Sequence, residues 1–565
     1  MPGKACGALP LAIALFLAAL TVIKSANKPL ALDEAMPFAW NARAITVEGI
    51  KVLGKRTAPH SKTTLLEISH PPLYTLLLAL SFELFGEQTA HARLIGVFCL
   101  LLTIGLLGLI ARQVFNRAAA CRIWLIAVML IVINPYLMQY ALLVDIDNSI
   151  LTTCLTATIY LFIRRLQTGR RRYLFATGLG LVASFWAKEM TPPILLAAIF
   201  LFLWFHAGLR QALRETAALT AIGVGGFILT WSLFCAGTNV PPLSFVEFTI
   251  LNKGAAATPF SHLPTAGMKI KSMLYWLSPP LVVLFCCFVA GRIKTLRVSR
   301  RLEPADFLLV YVGLMFCYTM LYIPSATTNP LQKYDYPAVS IMVLAAAAGL
   351  HRVSPPLTAK TVGLFLLAGG ALLGCYWLCH LPDPLLAVAT NTLRFRSRTS
   401  LLLILPLPVI MLALKKLQPT FTWGRSLALA AGLVVLPQNA HVTARQMSDY
   451  TTSPSWNNYG ERGLAQTIAY LARRVQPKDE LVVRKDIGYY LNGMPGLAKV
   501  HWWYPMFRSE YAQMQADFAA INASGAITYV VVGPYDQREP ARRVIQPHFH
   551  LEQVFGDFEI YRRRE

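Results

Sequence analysis

The chain consists largely of apolar runs long enough to cross a lipid bilayer, separated by short polar connectors. After an apolar N-terminal stretch, Leu9 to Ile23, the runs lie at roughly 94–111, 121–137, 149–163, 173–187, 192–206, 217–236, 273–291, 306–323, 337–350, 361–379, 400–414 and 426–438. A run of about 18 or more residues with few charges is typical of a transmembrane helix. The pattern predicts a polytopic α-helical membrane protein with about thirteen spans.

Composition excludes an ordinary soluble protein. Hydrophobic residues make up 55% of the 565 residues and charged residues only 14%, whereas soluble domains carry about a quarter charged residues. Ten cysteines occur, and nearly all lie within apolar runs. They indicate neither a disulfide framework nor a thiolate zinc site.

The net charge of +24 is explained by orientation in the bilayer and does not indicate nucleic-acid binding. Many basic residues fall in short connectors, as in Arg170-Arg171-Arg172 and Lys415-Lys416. Cytoplasmic loops carry such an excess of Lys and Arg. This places the N-terminus in the cytoplasm and residue 440 onward outside. Arg394, Arg396 and Arg398 are the exception, because they fall on the predicted outer side; either the spans are miscounted there or that loop binds anions.

The N-terminal stretch 4–23 resembles a signal peptide, yet we expect an uncleaved first helix, because the acidic loop after it needs an anchor at the membrane. That first extracytoplasmic loop covers 27–92 and contains a short apolar helix, Leu73 to Phe85, expected to lie at the interface, with a tilted span as the alternative. The transmembrane domain is predicted to occupy 1–440. Residues 441–565 alternate helix-like runs at 462–475 and 509–521 with strand-like runs at 481–483, 500–503, 527–532, 550–555 and 558–561. This alternation predicts a small extracytoplasmic α/β domain.

Charged residues gather on the predicted outer side. They are Asp33 and Glu34 after the first span, His70 and Arg93 in the first loop region, Asp145 and Asp147 before the fourth span, Lys188 after the fifth, Lys253 in an outer loop, and Lys333 with Tyr334 before the tenth. Ionisable groups beside spans mark a pathway or a site by default. Each also has a structural explanation: Asp147 suits a helix N-cap, Lys188 can extend to the interface, and Arg93 can pair with Glu87.

Carboxylates and cations at one depth suit a reaction in which cations hold a phosphate and a carboxylate takes a proton from an attacking hydroxyl or amine. A polyprenyl chain would keep such a phosphate at the headgroup level. The chemistry therefore favours a membrane-embedded transferase.

Five motifs, in this order, resemble the GT-C superfamily of polyprenyl-phosphate-sugar glycosyltransferases, in the branch of protein O-mannosyltransferases and the lipid A aminoarabinose transferase. They are Leu-Asp-Glu-Ala; His-Pro-Pro-Leu-Tyr with Leu-Phe-Gly-Glu and Ala-Arg-Leu; Asp-x-Asp; Ala-Lys-Glu-Met-x-Pro-Pro; and Gln-Lys-Tyr-x-x-Pro. The resemblance covers most of 10–350. It implies a GT-C fold in the cell inner membrane, a periplasmic C-terminal domain, and inverting sugar transfer from a polyprenyl-phosphate donor to a lipid, glycan or protein acceptor.

The resemblance also implies roles for single residues. Asp33 becomes the general base and Glu34 its partner, with Asp147 or Asp145 as a further acidic residue. The expected donor-phosphate contacts are His70, Arg93, Lys188, Lys253, Lys333 and Tyr334. This chain has His70 where the aminoarabinose branch has Lys, which leaves a divalent-cation site open, with His70 and Glu34 as candidate ligands.

Two other functions stay open on the sequence alone. A secondary transporter or lipid flippase could use the same charged residues for coupling, although the two halves of the chain show no internal repeat. A non-enzymatic scaffold would leave the acidic pairs beside the membrane without a purpose. The sequence identifies neither the sugar nor the acceptor.

Overall fold

The computed structural model describes, with short gaps, residues 28–30, 34–55, 70–243, 277–322, 332–353, 406–417 and 463–564, and scattered positions elsewhere. Several predicted features lie outside the described residues: Asp33, Lys253, the side chain of Lys333, nearly all of the first helix, the arginines at 394–398, the span 361–379 and the boundary at 440/441.

The N-terminal part is helical throughout its described length. In chain order its helices are α1 (Trp40–Glu48), α2 (Val52–Lys55), α3 (Leu73–Phe85), α4 (Thr89–Val114), α5 (Arg117–Val132), α6 (Pro135–Ala141), α7 (Thr152–Thr168), α8 (Arg171–Ala187), α9 (Pro192–Ala207), α10 (Leu209–Thr238), α11 (Pro279–Ser299), α12 (Pro304–Tyr322), α13 (Tyr336–Val353) and α14 (Pro406–Leu417). Two π-helical turns, Ala35–Ala39 and Asp147–Leu151, lead into α1 and α7, and a 3-10 turn, Gln332–Asp335, leads into α13.

The apolar runs predicted most of these helices. The run at 121–137 is the main difference, because the chain leaves α5 at Val132 and restarts as α6 at Pro135. Proline cannot donate a backbone hydrogen bond and suits the first turn of a new helix. The break therefore follows from the Asn134-Pro135 pair within an apolar run.

Three helices of the described part are long and apolar enough to cross a membrane: Thr89–Val114, Asp147–Thr168 and Leu209–Thr238. Leu73–Phe85, Pro192–Ala207 and Pro304–Met320 are apolar but shorter. The chain is thus an integral membrane protein. The count of about thirteen spans stays a prediction.

Small residues let the helices approach closely, which is the usual basis of packing between membrane helices. Gly178 of α8 faces Ile222 of α10, and Gly223 of α10 faces Leu181 of α8. Gly96 of α4 lies against the backbone carbonyl of Ala141, so that even a methyl group would clash. This contact presses α4 onto the segment that follows α6.

The C-terminal part forms a five-stranded mixed sheet with helices, where the sequence predicted a small α/β domain. Its strands are β1 (Glu480–Val483), β2 (Lys499–Trp502), β3 (Ile527–Val532), β4 (Phe549–Phe555) and β5 (Phe558–Arg563), in the spatial order β2-β1-β3-β5-β4. β1 is parallel to β2 and β3, while β5 is antiparallel to β3 and β4. Four helices accompany it: α15 (Leu464–Arg474), α16 (Lys485–Leu491), α17 (Tyr511–Asn522) and α18 (Arg538–Ile545).

Helices cover both faces of the sheet. Val530 and Val532 pack among residues of α17 and α18, whereas the alternate residues Tyr529 and Val531 pack among residues of α15 and α16. Successive side chains of a strand point to opposite faces, so an unbroken apolar strand needs cover on both. The sequence did not predict α18, because its arginine-rich outer face hides a short apolar stripe.

Candidate functional site

Glu34 and Arg93 form a fully buried ion pair. Glu34 directly precedes the π-helical turn Ala35–Ala39, and Arg93 belongs to α4. The Arg93 guanidinium donates to both carboxylate oxygens of Glu34, at 2.6 and 3.2 Å. The side chains are 0% and 1% exposed. The backbone N–H of Val144 donates to the same carboxylate at 3.0 Å. Glu34 is therefore shielded from solvent and held from two sides.

Arg93 also binds backbone from two distant segments. It donates to the carbonyl of Leu142 at 2.6 Å and to the carbonyls of Pro29 and Lys28 at 3.1 and 3.3 Å. One side chain thus joins residues 28–34, α4 and the segment 142–147 that follows α6. A planar guanidinium with five donors suits this task, and a lysine would not replace it.

A second buried ion pair joins Asp147 and Lys188. The Lys188 ammonium lies 2.7 Å from each carboxylate oxygen of Asp147. Asp147 begins the π-helical turn before α7, a kind of irregularity frequent at functional sites. Lys188 follows the last residue of α8, and Pro192 starts the next helix. The turn between α8 and α9 therefore presents Lys188 at the same level as the start of α7.

The ammonium of Lys188 also lies over the ring of Tyr334, 4.1 Å from its centroid. Tyr334 belongs to the 3-10 turn before α13. A cation over an aromatic face is stabilised by the ring quadrupole. Three separate parts of the sequence, near 147, 188 and 334, thus meet around one positive charge.

His70 lies beside the same turn and contacts Glu189. Its Nδ1 is 3.1 Å from both carboxylate oxygens of Glu189, whose side chain is 7% exposed. Burial raises the pKa of this carboxyl, but the adjacent imidazole, a backbone hydrogen bond and the charge of Lys188 lower the pKa by more. The net effect is a lowered pKa, so Glu189 is ionised at neutral pH. The sequence had named Glu189 only as the neighbour of Lys188.

Asp145 is buried, and its oxygens accept hydrogen bonds from the residues that directly follow it. One carboxylate oxygen accepts the N–H of Ile146 at 2.6 Å, and the Asp145 carbonyl accepts the hydroxyl of Ser149. The side chain of Asn148 donates back to the carbonyl of Leu143 at 3.0 Å. These bonds fix the conformation of 143–149, which sets the position of Asp147.

Three tyrosines line the neighbourhood of Asp147 and were not anticipated from the sequence. Tyr136, Tyr140 and Tyr336 form a cluster with ring centroids 4.6 to 6.1 Å apart. The hydroxyl of Tyr336 donates to the Leu137 carbonyl at 3.0 Å. The only available signal was the spacing of Tyr136 and Tyr140 on one helical face.

The segment 142–147 connects the two ion pairs. Its first part binds Arg93 and Glu34 through Leu142 and Val144, and its last residue, Asp147, binds Lys188. Val144 and Asp147 are three residues apart, so their Cα atoms lie within about 11 Å of each other. Glu34, Arg93, Asp147 and Lys188 are therefore gathered around this one segment.

The described residues contain no group of three or more His, Cys, Asp or Glu side chains arranged to hold a metal ion. Of the two candidate ligands, Glu34 is bound by Arg93 and His70 faces Glu189. Both positions have protein partners, so the divalent-cation site stays a prediction.

Comparison with known proteins agrees with this architecture. Residues 69–233 match the Dolichyl-phosphate-mannose-protein mannosyltransferase family. The structure is similar to that of ArnT from Cupriavidus metallidurans bound to undecaprenyl phosphate, with a TM-score of 0.60, 14% sequence identity and coverage of 99% of this chain and 98% of that one. The apo form of the same protein gives a TM-score of 0.59 at 15% identity and the same coverage. No curated protein sequence matches the chain significantly.

The chain shares the fold of these solved structures. The family match includes His70, Arg93, Asp147 and Lys188, and the similarity to the solved structures extends through the C-terminal sheet. This agrees with the predicted architecture of a helical membrane part followed by a small C-terminal domain.

Proposed function

We propose that this protein is an integral-membrane glycosyltransferase that moves a sugar from a polyprenyl-phosphate donor to an extracytoplasmic acceptor with inversion. The observation that carries the proposal is the buried Lys188 ammonium, held by Asp147 and Tyr334 and joined to residues 28–34 through one short segment. Two matches support the choice of donor: the family over 69–233 is named for a dolichyl-phosphate sugar, and the similar solved structure is bound to undecaprenyl phosphate.

Lys188 is assigned to the donor phosphate. A charge in a low-dielectric site acts much more strongly than one in water, and it stabilises a phosphate as negative charge develops on it. Asp147 keeps the ammonium in place before the donor arrives, and Tyr334 offers a second surface for the cation. His70, Lys333 and Lys253 remain further candidate phosphate contacts.

Asp33 is assigned as the general base. Its carboxylate takes the proton of the acceptor hydroxyl or amine while that oxygen or nitrogen attacks the anomeric carbon of the sugar. The bond between the anomeric carbon and the phosphate oxygen breaks, and its electron pair leaves with the polyprenyl phosphate. Attack opposite the leaving group inverts the anomeric centre.

Glu34 and Arg93 are assigned to support and not to chemistry. Their atoms bind each other and the backbone of two segments inside a solvent-free site. An acceptor or a phosphate would have to displace this whole network. We therefore place the chemistry at Asp33 and Lys188, with the pair at Glu34 and Arg93 fixing the distance between their segments.

The protein is placed in the cell inner membrane with its N-terminus in the cytoplasm and its C-terminal domain in the periplasm. The basic connectors between the apolar runs support this orientation. The acceptor, whether lipid, glycan or protein, is then an envelope component.

Binding of the lipid product tests the site without knowledge of the sugar. Undecaprenyl phosphate is expected to raise the thermal unfolding temperature of the purified protein in detergent, since a ligand that binds only the folded state stabilises it. An unfolding temperature that does not change at saturating undecaprenyl phosphate would contradict the proposed donor.

Transfer tests the base. Asp33→Asn is expected to abolish sugar transfer from a set of undecaprenyl-phosphate-linked sugars to envelope acceptors in membrane vesicles, with normal protein yield. Glu303→Gln is the matched control, because this carboxylate is half exposed and pairs with Arg292 in a basic connector. Movement of the labelled lipid across the vesicle without a glycosylated product would favour a flippase instead.

A further inference from the structure

The C-terminal domain contacts the segment that carries the predicted base. The hydroxyl of Tyr490, in α16, accepts the backbone N–H of Leu30 at 2.6 Å. The same hydroxyl lies 3.4 Å from the hydroxyl of Thr89 at the start of α4. Leu30 is fully buried, so this hydrogen bond is protected from water.

Residues 28–34 are thus held at three points. Arg93 binds the carbonyls of Lys28 and Pro29 and the carboxylate of Glu34, while Tyr490 binds the N–H between these anchors. Lys28, Pro29 and Leu30 are not helical, so their backbone groups depend on such outside partners, because unpaired buried backbone groups are costly. Tyr490 is the partner that comes from the C-terminal domain.

The rest of the contact explains why α16 lies there. The carbonyl of Tyr489 accepts a hydrogen bond from Arg43 at 2.9 Å, and the Tyr489 ring packs edge-on against Trp40 at 5.7 Å. Arg43 continues to Glu87 through an ion pair of 3.1 Å. Tyr489 therefore docks α16 onto α1, and Tyr490 extends past it to the segment 28–34.

Burial raises the pKa of the Tyr490 phenol, and its hydrogen bonds with Thr89 and Leu30 lower the pKa by less. The phenol therefore stays protonated at physiological pH. In that form it can accept the Leu30 N–H while its own hydrogen remains available to another acceptor.

We infer that Tyr490 is a positioning residue of the transfer reaction: through Leu30 it makes the C-terminal domain hold the residues that precede Asp33 in the chain. The inference rests on the proposed function, because it needs Asp33 to act. It assigns the C-terminal domain a part in turnover in addition to any contact with the acceptor.

The test separates turnover from donor binding. In Tyr490→Phe the ring remains and only the hydroxyl is lost. Transfer is expected to slow about fivefold, which is the effect of losing one neutral hydrogen bond. The concentration of undecaprenyl phosphate that gives half of the thermal shift is expected to stay at the wild-type value, because Lys188 and Asp147 are unchanged. Hydrogen exchange is expected to show faster exchange in the peptide containing Leu30.

Two matched variants make the test specific. Tyr489→Phe removes a hydroxyl from the neighbouring residue, whose hydroxyl bonds to Glu87 and not to the segment 28–34. Tyr470→Phe removes one that bonds to Glu552 within the C-terminal domain. Exchange at Leu30 is expected to stay at the wild-type level in both variants, and transfer by Tyr470→Phe to stay unchanged.

Wild-type transfer and wild-type exchange in Tyr490→Phe would overturn the inference. So would an equal slowing in Tyr489→Phe, because the effect would then come from general loosening of the docked helix. A failure of the proposed function gives a different result. Undecaprenyl phosphate would then not bind, or Asp33→Asn would remain active, independently of the transfer rate of Tyr490→Phe.

Discussion

Two buried ion pairs lie at opposite ends of the segment 142–147, and they are built differently. The pair of Glu34 and Arg93 is surrounded by backbone partners from two distant parts of the chain, residues 28–29 and 142–144. In the second pair, the Lys188 ammonium binds the Asp147 carboxylate and lies against the ring of Tyr334. Both pairs are almost without solvent contact.

The difference indicates which charge can change partners. Displacing Arg93 would leave several buried carbonyls without donors, each at a cost of about 1–3 kcal/mol. Lys188 can pass from a carboxylate to a phosphate and stay paired with an anion throughout. Burial alone therefore does not separate a structural ion pair from a functional one, whereas the number of backbone partners does.

Removal of the first pair is expected to have the largest effect. The double variant Glu34→Gln/Arg93→Met leaves no unpaired charge, yet the carbonyls of Leu142, Pro29 and Lys28 lose their common donor. We expect a loss of several kcal/mol, a large part of the total stability of a typical protein. The yield of monodisperse protein in detergent measures it; a normal yield would contradict a structural role for Arg93.

The corresponding change at the second pair is expected to spare the fold and stop the reaction. Asp147→Asn/Lys188→Met removes both charges together, which avoids the strong penalty of one unpaired buried charge. Transfer is expected to fall about 10²–10³-fold, as when one preorganised electrostatic contact is lost. The undecaprenyl phosphate thermal shift should disappear at normal yield. A retained shift would remove Lys188 from the phosphate site.

The close approach of α4 to the end of α6, directly before the segment 142–147, provides a finer test. Gly96→Ala places a methyl group against the Ala141 carbonyl, and we expect a loss of about 1–3 kcal/mol from overpacking. Gly105→Ala is the matched control, since nothing lies within 4 Å of that position on the same helix. Thermal unfolding of both variants checks the prediction. Equal unfolding temperatures would mean that α4 can move away from the segment.

The smallest expected effect is at Glu189 and depends on pH. Because the folded-state pKa of Glu189 lies below its ordinary value of 4.5, its ionised form stabilises the protein above that pH. This contribution is lost as the pH falls through the lowered pKa. Glu189→Gln should therefore cost about 1–2 kcal/mol at pH 7, and the difference from wild type should vanish in strong acid. A difference independent of pH would exclude the ion pair as its cause.

The sequence predicted the helices well because membrane spans are the strongest of all sequence signals. Helices α8 and α9 agree with the predicted runs to within two residues, and most strands of the C-terminal sheet do so as well. Those predictions depend on local hydrophobicity alone. The break at Pro135 was missed, because the apolar run continues through it.

Partners across the site were harder to predict. The sequence offered Glu87, six residues earlier, as the alternative partner of Arg93, but Arg93 binds Glu34, and Glu87 binds Arg43. Hydrophobic patterning shows that a charge lies beside a span and not which distant carboxylate faces it. The meeting of Lys188 with Tyr334 likewise depends on how α8 and α13 pack, which a single sequence does not encode in any local pattern.

The bond between Leu30 and Tyr490 joins residues that are 460 positions apart. A ribosome has synthesised most of the chain before the second of these residues emerges. In the proposed orientation, the domain that carries Tyr490 must then cross the membrane and fold. Until that moment the early segment lacks one of its anchors, even if every helix before it is already inserted. The enzyme would thus acquire its full rate only at the end of biogenesis, and a chain truncated before the sheet would remain a slow catalyst in an otherwise assembled membrane domain.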